Sequence, residues 1–564
     1  MKPARVLAII VVLAVALATF IRLHFGIDFS DESYYIAMAR RFALGDRPLI
    51  DEFSPHQSAA LLPALLVWLR GRFVPGAEGL VLYTRLLYFG FGLLIWRELD
   101  RSLRGPFGPQ AALLAGGLYT AFVPFNIPNL SYNTLGCGCF TLGCLIAVRA
   151  TLGGAGRRSL AGAGLMQGLA VLAYPTLLLP VMLWWIALVA VSTRARTATA
   201  LTTLAGVALP LVITALALKR PSPEEWQLFL RGATAIKAGE YPLRKLALIV
   251  VTAWESYAWK AVVIPAALLC VMVVRSRWKH RAWCAVLLPL VLLPVGRDMP
   301  GVHANGFLLG LGLVAPFLMP GFSKARERVL VATVWLPAIV AGMTTAWTST
   351  NGHWNFFVGF FPAAVLSCVY LAEPLRPVAR PSKRAQAQPA PEPETRLLAL
   401  VPVLIVLAVL VADQYRSVYR DDALPRLTAR VPSGAFAGLH TTPDRAAFLA
   451  QLQADLAPLQ GDGIFFDSFP AGFLLVPGRP AVNTVWVMAP QENPGLDRTV
   501  FLEYWERTRR RPAFAVRMLA IARTTAEAWT PLYPANDPLD ALFTGPGYRL
   551  AVTRPTYQIF VHNP

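Results

Sequence analysis

The chain begins with KPARVLAIIVVLAVALATFIRLHFGIDFSDESYY, residues 2–35, in which an apolar run at 6–23 is followed at once by acidic residues. The run approaches the roughly 20 residues that cross the hydrocarbon core of a bilayer. No small-residue cleavage site followed by a soluble domain comes after it, so we expect a retained signal-anchor and not a removed signal peptide. The stretch therefore predicts a membrane-anchored chain with carboxylates directly at a membrane boundary.

The same apolar character returns throughout the first three quarters of the chain. Hydrophobic residues make up 55% of the sequence and charged residues 15%, whereas soluble domains average roughly 25% charged residues. We expect thirteen membrane spans, which would place the two termini on opposite faces of the membrane. Their predicted bounds are 6–23, 79–96, 111–125, 132–148, 160–173, 175–192, 200–217, 258–274, 284–296, 305–320, 329–346, 354–372 and 397–412.

The net charge of +20 is unevenly distributed. In a soluble chain such an excess would suggest a nucleic-acid partner. The segments that fall on the N-terminal side of the predicted spans, however, hold 22 basic and 6 acidic residues, which is a positive-inside pattern and not a nucleic-acid footprint. We therefore expect the N-terminus in the cytoplasm. These segments are 1–5, 97–110, 149–159, 193–199, 275–283, 321–328 and 373–396.

Two stretches on the opposite face are too long to be simple connectors. In the first, 24–78, residues 33–44 place apolar side chains against Arg40 and Arg41, which predicts a short interfacial helix. A second apolar run at 58–69 is too short to span the membrane. We expect both segments to lie on the outer membrane surface.

The second long stretch, 413–564, has the mixed polarity of a globular domain. A helical pattern at 446–459 precedes a strand pattern at 463–467, and another strand pattern at 549–562 closes the chain. The fold class is thus an α-helical polytopic membrane protein of about 13 transmembrane helices, residues 1–412, with a C-terminal exported α/β or α+β domain. Residues 376–396, rich in proline, alanine and charge, are predicted to form a flexible cytoplasmic linker.

The cysteines all lie in or beside predicted spans, so we expect no disulfide framework in the exported domain. The run CGCFTLGC at 137–144 has no His or acidic partners, so its thiols are interpreted as small packing residues and no metal site is predicted. The six cysteines are Cys137, Cys139, Cys144, Cys270, Cys284 and Cys368.

Asp31 and Glu32 are the candidate catalytic residues, and Asp28 lies just before them. A carboxylate at a membrane boundary is costly unless it is solvated or used, and it can act there as a general base. The alternative is that Ser30 or Asp31 caps the helix that follows. The residues alone leave both interpretations open.

The segments before and after the acidic residues follow one another in a recognisable order. An apolar span, an acidic loop with DE-x-x-Y, interfacial segments, and then VLYTRLLYFGFGLLIWRELDRSLRG at 81–105 resemble the GT-C superfamily of polyprenyl-phosphate-sugar-dependent glycosyltransferases. Within that superfamily, the sequence resembles the lipid A aminoarabinose transferases and the protein O-mannosyltransferases. The likeness covers about the first 200 residues and continues in GLMQGLAVLAYPTLLLPVMLWW at 164–185, where Tyr174-Pro175 marks a break between two spans.

The resemblance implies an inverting transfer in which Asp31 accepts the proton of an acceptor hydroxyl as polyprenyl phosphate leaves. Glu32 would assist the base or hold the interfacial helix, and Tyr35 would contact the sugar or the acceptor. Where the aminoarabinose transferases carry a Lys before paired prolines, this chain has Pro55-His56-Gln57, so His56 or Gln57 would contact the phosphate.

Other outer-face residues are candidates for the same site, although each is also explained as a solvated loop residue or a membrane anchor. Asn133 stands where relatives carry an Asp and would contact a sugar or cap its helix. Candidates for the donor phosphate are Arg85, Arg231, Arg297, His303 and His353, with Lys237 and Asp298 nearby, and Asn355 is a candidate for sugar or acceptor contact.

The predicted function is an inverting glycosyltransferase that moves a sugar from a polyprenyl-phosphate donor to a lipid, glycan or protein acceptor. We expect it in the bacterial inner membrane with residues 413–564 outside the cytoplasm, and with either no cofactor or a divalent cation. Two alternatives stay open. One is a transporter or flippase of lipid-linked saccharide, and the other is a glycan ligase or polymerase that needs no acidic base.

Overall fold

The structure is a computed structural model. It describes residues 3–154, 156–192, 196–235, 242–256, 259–275, 278–296, 303–319, 324–349, 351–372, 400–416, 418, 420–493, 495–522, 529–533 and 537–563. The predicted cytoplasmic linker at 376–396 lies outside these ranges.

Each of the thirteen predicted spans coincides with helix in the described part of the chain. The helices are Pro3–Arg22, Leu80–Phe107, Pro109–Ala121, Tyr132–Leu152, Arg157–Ala173, Leu178–Val191, Arg196–Ala217, Trp259–Arg275, Trp278–Leu292, His303–Val314, Ala325–Leu330 leading through the π-helical Val331–Trp335 into Leu336–Thr348, Phe357–Leu371 and Val401–Arg416. Four more helices, Asp31–Ala43, Leu61–Gly71, Pro223–Ala235 and Pro242–Ser256, lie in the connections between them.

Five of these helices are long and apolar enough to cross a membrane: Arg5–Arg22, Leu80–Phe107, Tyr132–Leu152, Arg196–Ala217 and Ala325–Thr348. Large apolar side chains on them, such as Leu13, Leu17 and Leu216, are exposed, which is typical of a surface that meets lipid. The chain is therefore a multi-pass membrane protein, while the number thirteen stays a prediction.

The helices Arg157–Ala173 and Arg196–Ala217 pack closely through glycine. A Cβ built on Gly164 would lie 2.2 Å from the carbonyl oxygen of Thr203, and one on Gly168 would lie 2.3 Å from that of Val207. Small residues spaced four apart allow such backbone contact between helices in a membrane. The break at Tyr174-Pro175 is also present, as the 3-10 turn Pro175–Leu177 that precedes the next helix.

We expect Gly168→Val to destabilise the detergent-extracted protein, because the added atoms meet backbone that cannot move aside. Overpacking of this kind costs about 1–3 kcal/mol. Gly162 lies on the same helix with nothing within 4 Å of its built Cβ, so Gly162→Ala is the matched control. The measurement is the melting temperature of both variants, and equal values for the two would contradict the close packing.

The C-terminal part is a mixed α/β domain, which confirms the predicted fold class. Its main sheet has the order β3-β4-β8-β7, with β3 and β4 parallel and the remaining pairs antiparallel. The strands are β1 Ala429–Arg430, β2 His440–Thr441, β3 Gly463–Phe466, β4 Phe514–Met518, β5 Ala520–Ile521, β6 Thr530–Pro531, β7 Tyr548–Thr553 and β8 Tyr557–His562, and the helices are Pro443–Leu456, Gly472–Leu475, Thr499–Thr508 and Pro538–Thr544.

The predicted elements of this domain agree with those observed, with one refinement. The strand pattern at 549–562 forms a hairpin of β7 and β8, whose turn is closed by Arg554 N–H donating to Tyr557 O at 2.8 Å. All residues of β3 and β4 are buried, as expected for a parallel pair covered on both faces.

The helix Asp31–Ala43 is buried against the C-terminal domain and does not present its arginines to headgroups or water. Arg40 donates to the Val476 carbonyl at 2.7 Å, and Arg41 pairs with Glu52 at 3.0 Å. The expectation of an outer-surface helix is therefore corrected. An amphipathic pattern cannot distinguish a lipid surface from a polar protein surface that satisfies the same guanidinium groups.

Candidate active site

A cavity of about 500 Å³ lies where the 24–78 stretch meets the C-terminal domain. Its wall combines hydroxyl groups, aromatic rings and a few charged groups, which suits a ligand that is both polar and flat-faced, such as a sugar. The lining residues drawn from the first part of the chain include Ser30, Asp31, Tyr34, Tyr35, Phe53, Ser54, His56, Tyr132, Ser349 and Asn351, and those from the second include Arg420, Ser468, Phe469, Thr484, Trp486, Met488 and Glu492.

The contact between the helices Pro3–Arg22 and Val401–Arg416 brings these two parts together. Arg22 Nε donates to the Gln414 carbonyl at 2.8 Å, and Tyr415 Oη donates to the Ala18 carbonyl at 2.7 Å. Because the two helices end side by side, the segments that follow them on the same face also meet. Gly26 N–H donates to His440 O at 2.7 Å.

Asp28 caps the helix that begins at Asp31. Its carboxylate accepts the Ser30 N–H at 2.9 Å, the Ser30 Oγ–H at 2.7 Å and the Glu32 N–H at 2.8 Å. Ser30, the residue at the N-cap position, makes no side-chain capping bond. The capping role considered for Ser30 or Asp31 is therefore performed by Asp28.

Asp31 lies on the cavity wall with 14% of its side chain exposed. Its Oδ2 forms an ion pair with Arg420 at 3.1 Å, and the other guanidinium nitrogen of Arg420 also donates to Ser30 Oγ. The carboxylate thus faces a space large enough for a ligand while a cation from the C-terminal part holds it.

Glu32 points away from the cavity and pairs with Arg85. The two guanidinium-carboxylate contacts measure 2.7 Å and 2.6 Å, and both side chains are 2% exposed. Arg85 also donates to the carbonyls of Leu23 at 2.7 Å and Gly26 at 2.8 Å, so its donors serve the protein itself. The structure places Glu32 as a residue that holds the helix, and it does not bring Arg85 to the cavity as a phosphate ligand.

His56 and Gln57 are separated in the same way. The His56 ring stacks on Tyr132 at 4.2 Å and lines the cavity. The Gln57 amide is buried and braces its own loop, accepting Leu49 N–H at 2.6 Å and donating to Glu52 O at 2.9 Å. Of the two, only His56 lies where a donor phosphate could be reached.

Aromatic and amide candidates lie at or near the same cavity. Tyr35 lines the cavity and packs edge-on against Tyr132. Tyr34 also lines it, burial raises the pKa of its hydroxyl well above the ordinary value, and that hydroxyl donates to Ser54 Oγ. Asn355 Nδ2 donates to Tyr174 Oη at 3.2 Å, and neither of these two residues lines the cavity.

Asn133 is buried and does not line the cavity. The helix that begins at Tyr132 is capped by Ser131, whose side chain accepts the Thr134 N–H, so the capping role predicted for Asn133 is wrong. His353 is buried and does not line the cavity, and burial lowers the pKa of its imidazole, which weakens its case as a cationic phosphate ligand.

The remaining phosphate candidates either do not line the cavity or lie outside the described residues. Arg231 lies on an exposed helix and pairs with Asp497 at 2.7 Å and Glu503 at 2.6 Å, which links that helix to the C-terminal domain. Arg297, Asp298 and Lys237 lie outside the described residues. His303 begins the helix His303–Val314.

Sequence reasoning missed the contribution of the C-terminal part. Arg420, Trp486, Ser468 and Glu492 all line the cavity, and the Trp486 ring lies 4.9 Å from that of Tyr34. Arg420 stands in DQYRSVYRDD, 413–422, directly after the last predicted span. Its position after a span, on the same face as Asp31, is the signal that could have indicated it.

The described residues contain no group of three or more His, Cys, Asp or Glu side chains placed to hold a metal ion. Either no cofactor or a divalent cation therefore stays the prediction, as it was from the sequence.

No protein-family model and no curated protein matches the chain. Solved structures do resemble it. One is the Archaeoglobus fulgidus oligosaccharyltransferase in complex with Zn and sulfate, with 14% identity over 90% of this chain and 68% of that one and a TM-score of 0.47. Another is the oligosaccharyltransferase AglB of the same organism with an inhibitory peptide and a dolichol-phosphate, with 14% identity over 91% and 69% and a TM-score of 0.47.

A third is ArnT from Cupriavidus metallidurans bound to undecaprenyl phosphate, with 12% identity over 98% of this chain and 97% of that one and a TM-score of 0.36.

Proposed function

We propose that this chain is an inverting glycosyltransferase that moves a sugar from a polyprenyl-phosphate donor to a lipid, glycan or protein acceptor at the outer face of the membrane. The observation that carries the proposal is the position of Asp31. Asp28 caps the helix, so the Asp31 carboxylate is not needed for capping. Asp31 faces a cavity between the membrane helices and the C-terminal domain.

The reaction follows from this geometry. The acceptor hydroxyl oxygen attacks the anomeric carbon, and Asp31 takes the hydroxyl proton. The bond between that carbon and the phosphate oxygen breaks, and its electron pair leaves with polyprenyl phosphate. Tyr34, Phe53 and Trp486 provide flat surfaces for the sugar, and Ser54 and Thr484 provide hydroxyls for its hydrogen bonds.

The two alternatives differ from this proposal because neither uses Asp31 as a general base. A flippase would carry the lipid-linked saccharide across the membrane without breaking the sugar-phosphate bond, and transporters place ionisable residues near the membrane midplane. Arg22 and Arg85 are instead buried at helix ends on the Asp31 side. A ligase that needs no acidic base would leave Asp31 dispensable.

Purified protein is expected to transfer sugar from a synthetic polyprenyl-phosphate conjugate and not from a nucleotide sugar. The reason is that the sequence has no glycine-rich phosphate cradle, and the acidic loop is expected to face a compartment without nucleotide sugars. Mass spectrometry of lipids, glycans and proteins from cells with and without the chain would identify the acceptor. Turnover with a nucleotide sugar and no lipid donor would overturn the proposal.

The proposed orientation places the cavity and residues 413–564 outside the cytoplasm. Cysteines introduced at the partly exposed Ser159 and the exposed Ser433 should therefore react with an impermeant thiol reagent from opposite sides of the membrane. The native thiols are buried and give a low background. Labelling of both positions from one side would exclude the proposed topology.

A further inference from the structure

We infer that Arg420 is the ligand of the donor phosphate and that it exchanges partners during the reaction, from Asp31 in the empty site to the phosphate in the filled one. The inference rests on the proposed function, because it names the group that receives the leaving phosphate.

The location of Arg420 is the first support. Among the described residues that line the cavity, it is the one Lys or Arg side chain. Its guanidinium lies 3.1 Å from Asp31 Oδ2, and 26% of the side chain is exposed. A phosphate held in the cavity next to the base would therefore lie within reach of the same guanidinium, a group that can bind either phosphate or carboxylate through two parallel N–H···O bonds.

The backbone of Arg420 is the second support. Its φ of 54° lies in the left-handed region, which is uncommon for a residue with a side chain and persists only when neighbours enforce it. Asp421 enforces it here, because its buried carboxylate accepts Ile27 N–H at 2.7 Å and Thr441 Oγ1–H at 2.7 Å. The chain thus places the Cα of Arg420 beside the acidic loop.

A comparison with Arg85 separates this arrangement from a purely structural ion pair. Arg85 is 2% exposed, is doubly bonded to Glu32, and donates to three backbone carbonyls, those of Leu23, Phe25 and Gly26. Arg420 is more exposed than Arg85, and it contacts Asp31 and Ser30, which both line the cavity.

The charges of the reaction favour the exchange. The donor is a phosphodiester with one negative charge, and the leaving polyprenyl phosphate gains a second as it accepts the bonding electron pair. Asp31 loses its charge when it accepts the acceptor proton. Negative charge therefore passes from one partner of Arg420 to the other, and a cation placed between them stabilises the charge that develops.

The test is binding of undecaprenyl phosphate to the full chain in detergent, measured for the wild type, Arg420→Gln, Asp31→Asn and Arg426→Gln. Arg420→Gln is expected to weaken binding about 10- to 100-fold, the usual effect of losing a charge-assisted bond. Asp31→Asn should bind as tightly as the wild type or more tightly, because it removes a competing anion. Arg426, an exposed residue of the same segment that pairs with Asp422, is the matched control and should not change binding.

Wild-type affinity in Arg420→Gln would overturn the inference. Weakening by Asp31→Asn as large as that by Arg420→Gln would also overturn it, because the pair would then be only a structural unit. If Arg420→Gln does not fold, Asp31→Asn still tests the inference, because binding about 10-fold weaker or worse in that variant alone would overturn it. A wild type that transfers sugar while Arg420→Gln binds normally refutes the inference alone, whereas Arg420-dependent binding without any transfer refutes the proposed function and retains the phosphate site.

Discussion

The Asp31→Asn variant is expected to transfer sugar about 10² to 10⁴ times more slowly than the wild type, which is the usual effect of removing a general base. Asparagine keeps the size of aspartate but cannot accept the acceptor proton. Since Asp28, and not Asp31, accepts the N–H groups at the start of the helix, the substitution should leave the folded protein intact. The measurement is transfer rate per amount of monodisperse protein.

Asp28→Asn is the matched control and should show the opposite behaviour. It alters a helix cap, which costs about 1 kcal/mol of stability, while the base stays in place. Near-normal turnover by Asp31→Asn would remove the proposed base and favour the flippase or the acid-independent ligase. A large loss of stability in Asp31→Asn would show that the carboxylate holds the fold.

The Arg85→Gln variant is expected to lose about 3–5 kcal/mol of stability, because it leaves the buried Glu32 carboxylate without its partner. Three carbonyls would lose a donor at the same time. Arg104 lies on the same helix, Leu80–Phe107, and pairs with Asp100 at the surface. Arg104→Gln should therefore change stability by less than about 1 kcal/mol.

Thermal unfolding in detergent with the two variants side by side is the measurement. If Arg85→Gln has the same melting temperature as the wild type but a lower affinity for a polyprenyl phosphate, Arg85 would be a donor ligand, as the resemblance implies. Equal losses of stability in the two variants would show that the buried Arg85–Glu32 pair stabilises the fold no more than the surface Arg104–Asp100 pair does.

Apolar runs predicted the helices well, because a membrane span requires consecutive apolar residues, which can be read directly from the sequence. They could not predict the environment of the loop helix. Arg40 and Arg41 form a polar face in the sequence, yet the groups that satisfy this face, including the Val476 carbonyl and Glu52, are not part of the periodic pattern.

The acidic pair shows why the site could be predicted only in part. Asp31 and Glu32 are adjacent, but successive residues of a helix point roughly 100° apart. One therefore faces the cavity and the other the helix Leu80–Phe107. Arg420 was missed because its link to Asp31 depends on the contact of two helices that are far apart in the sequence, which no local pattern encodes.

The anomeric configuration of the product tests the central claim most directly. A single displacement, in which Asp31 accepts the acceptor proton while the phosphate leaves from the opposite side of the sugar, must invert the anomeric centre. Purified wild-type protein should therefore convert a synthetic polyprenyl-phosphate sugar of defined anomeric configuration into a product of the opposite configuration, as read by NMR. A product that retains the donor configuration would contradict the account.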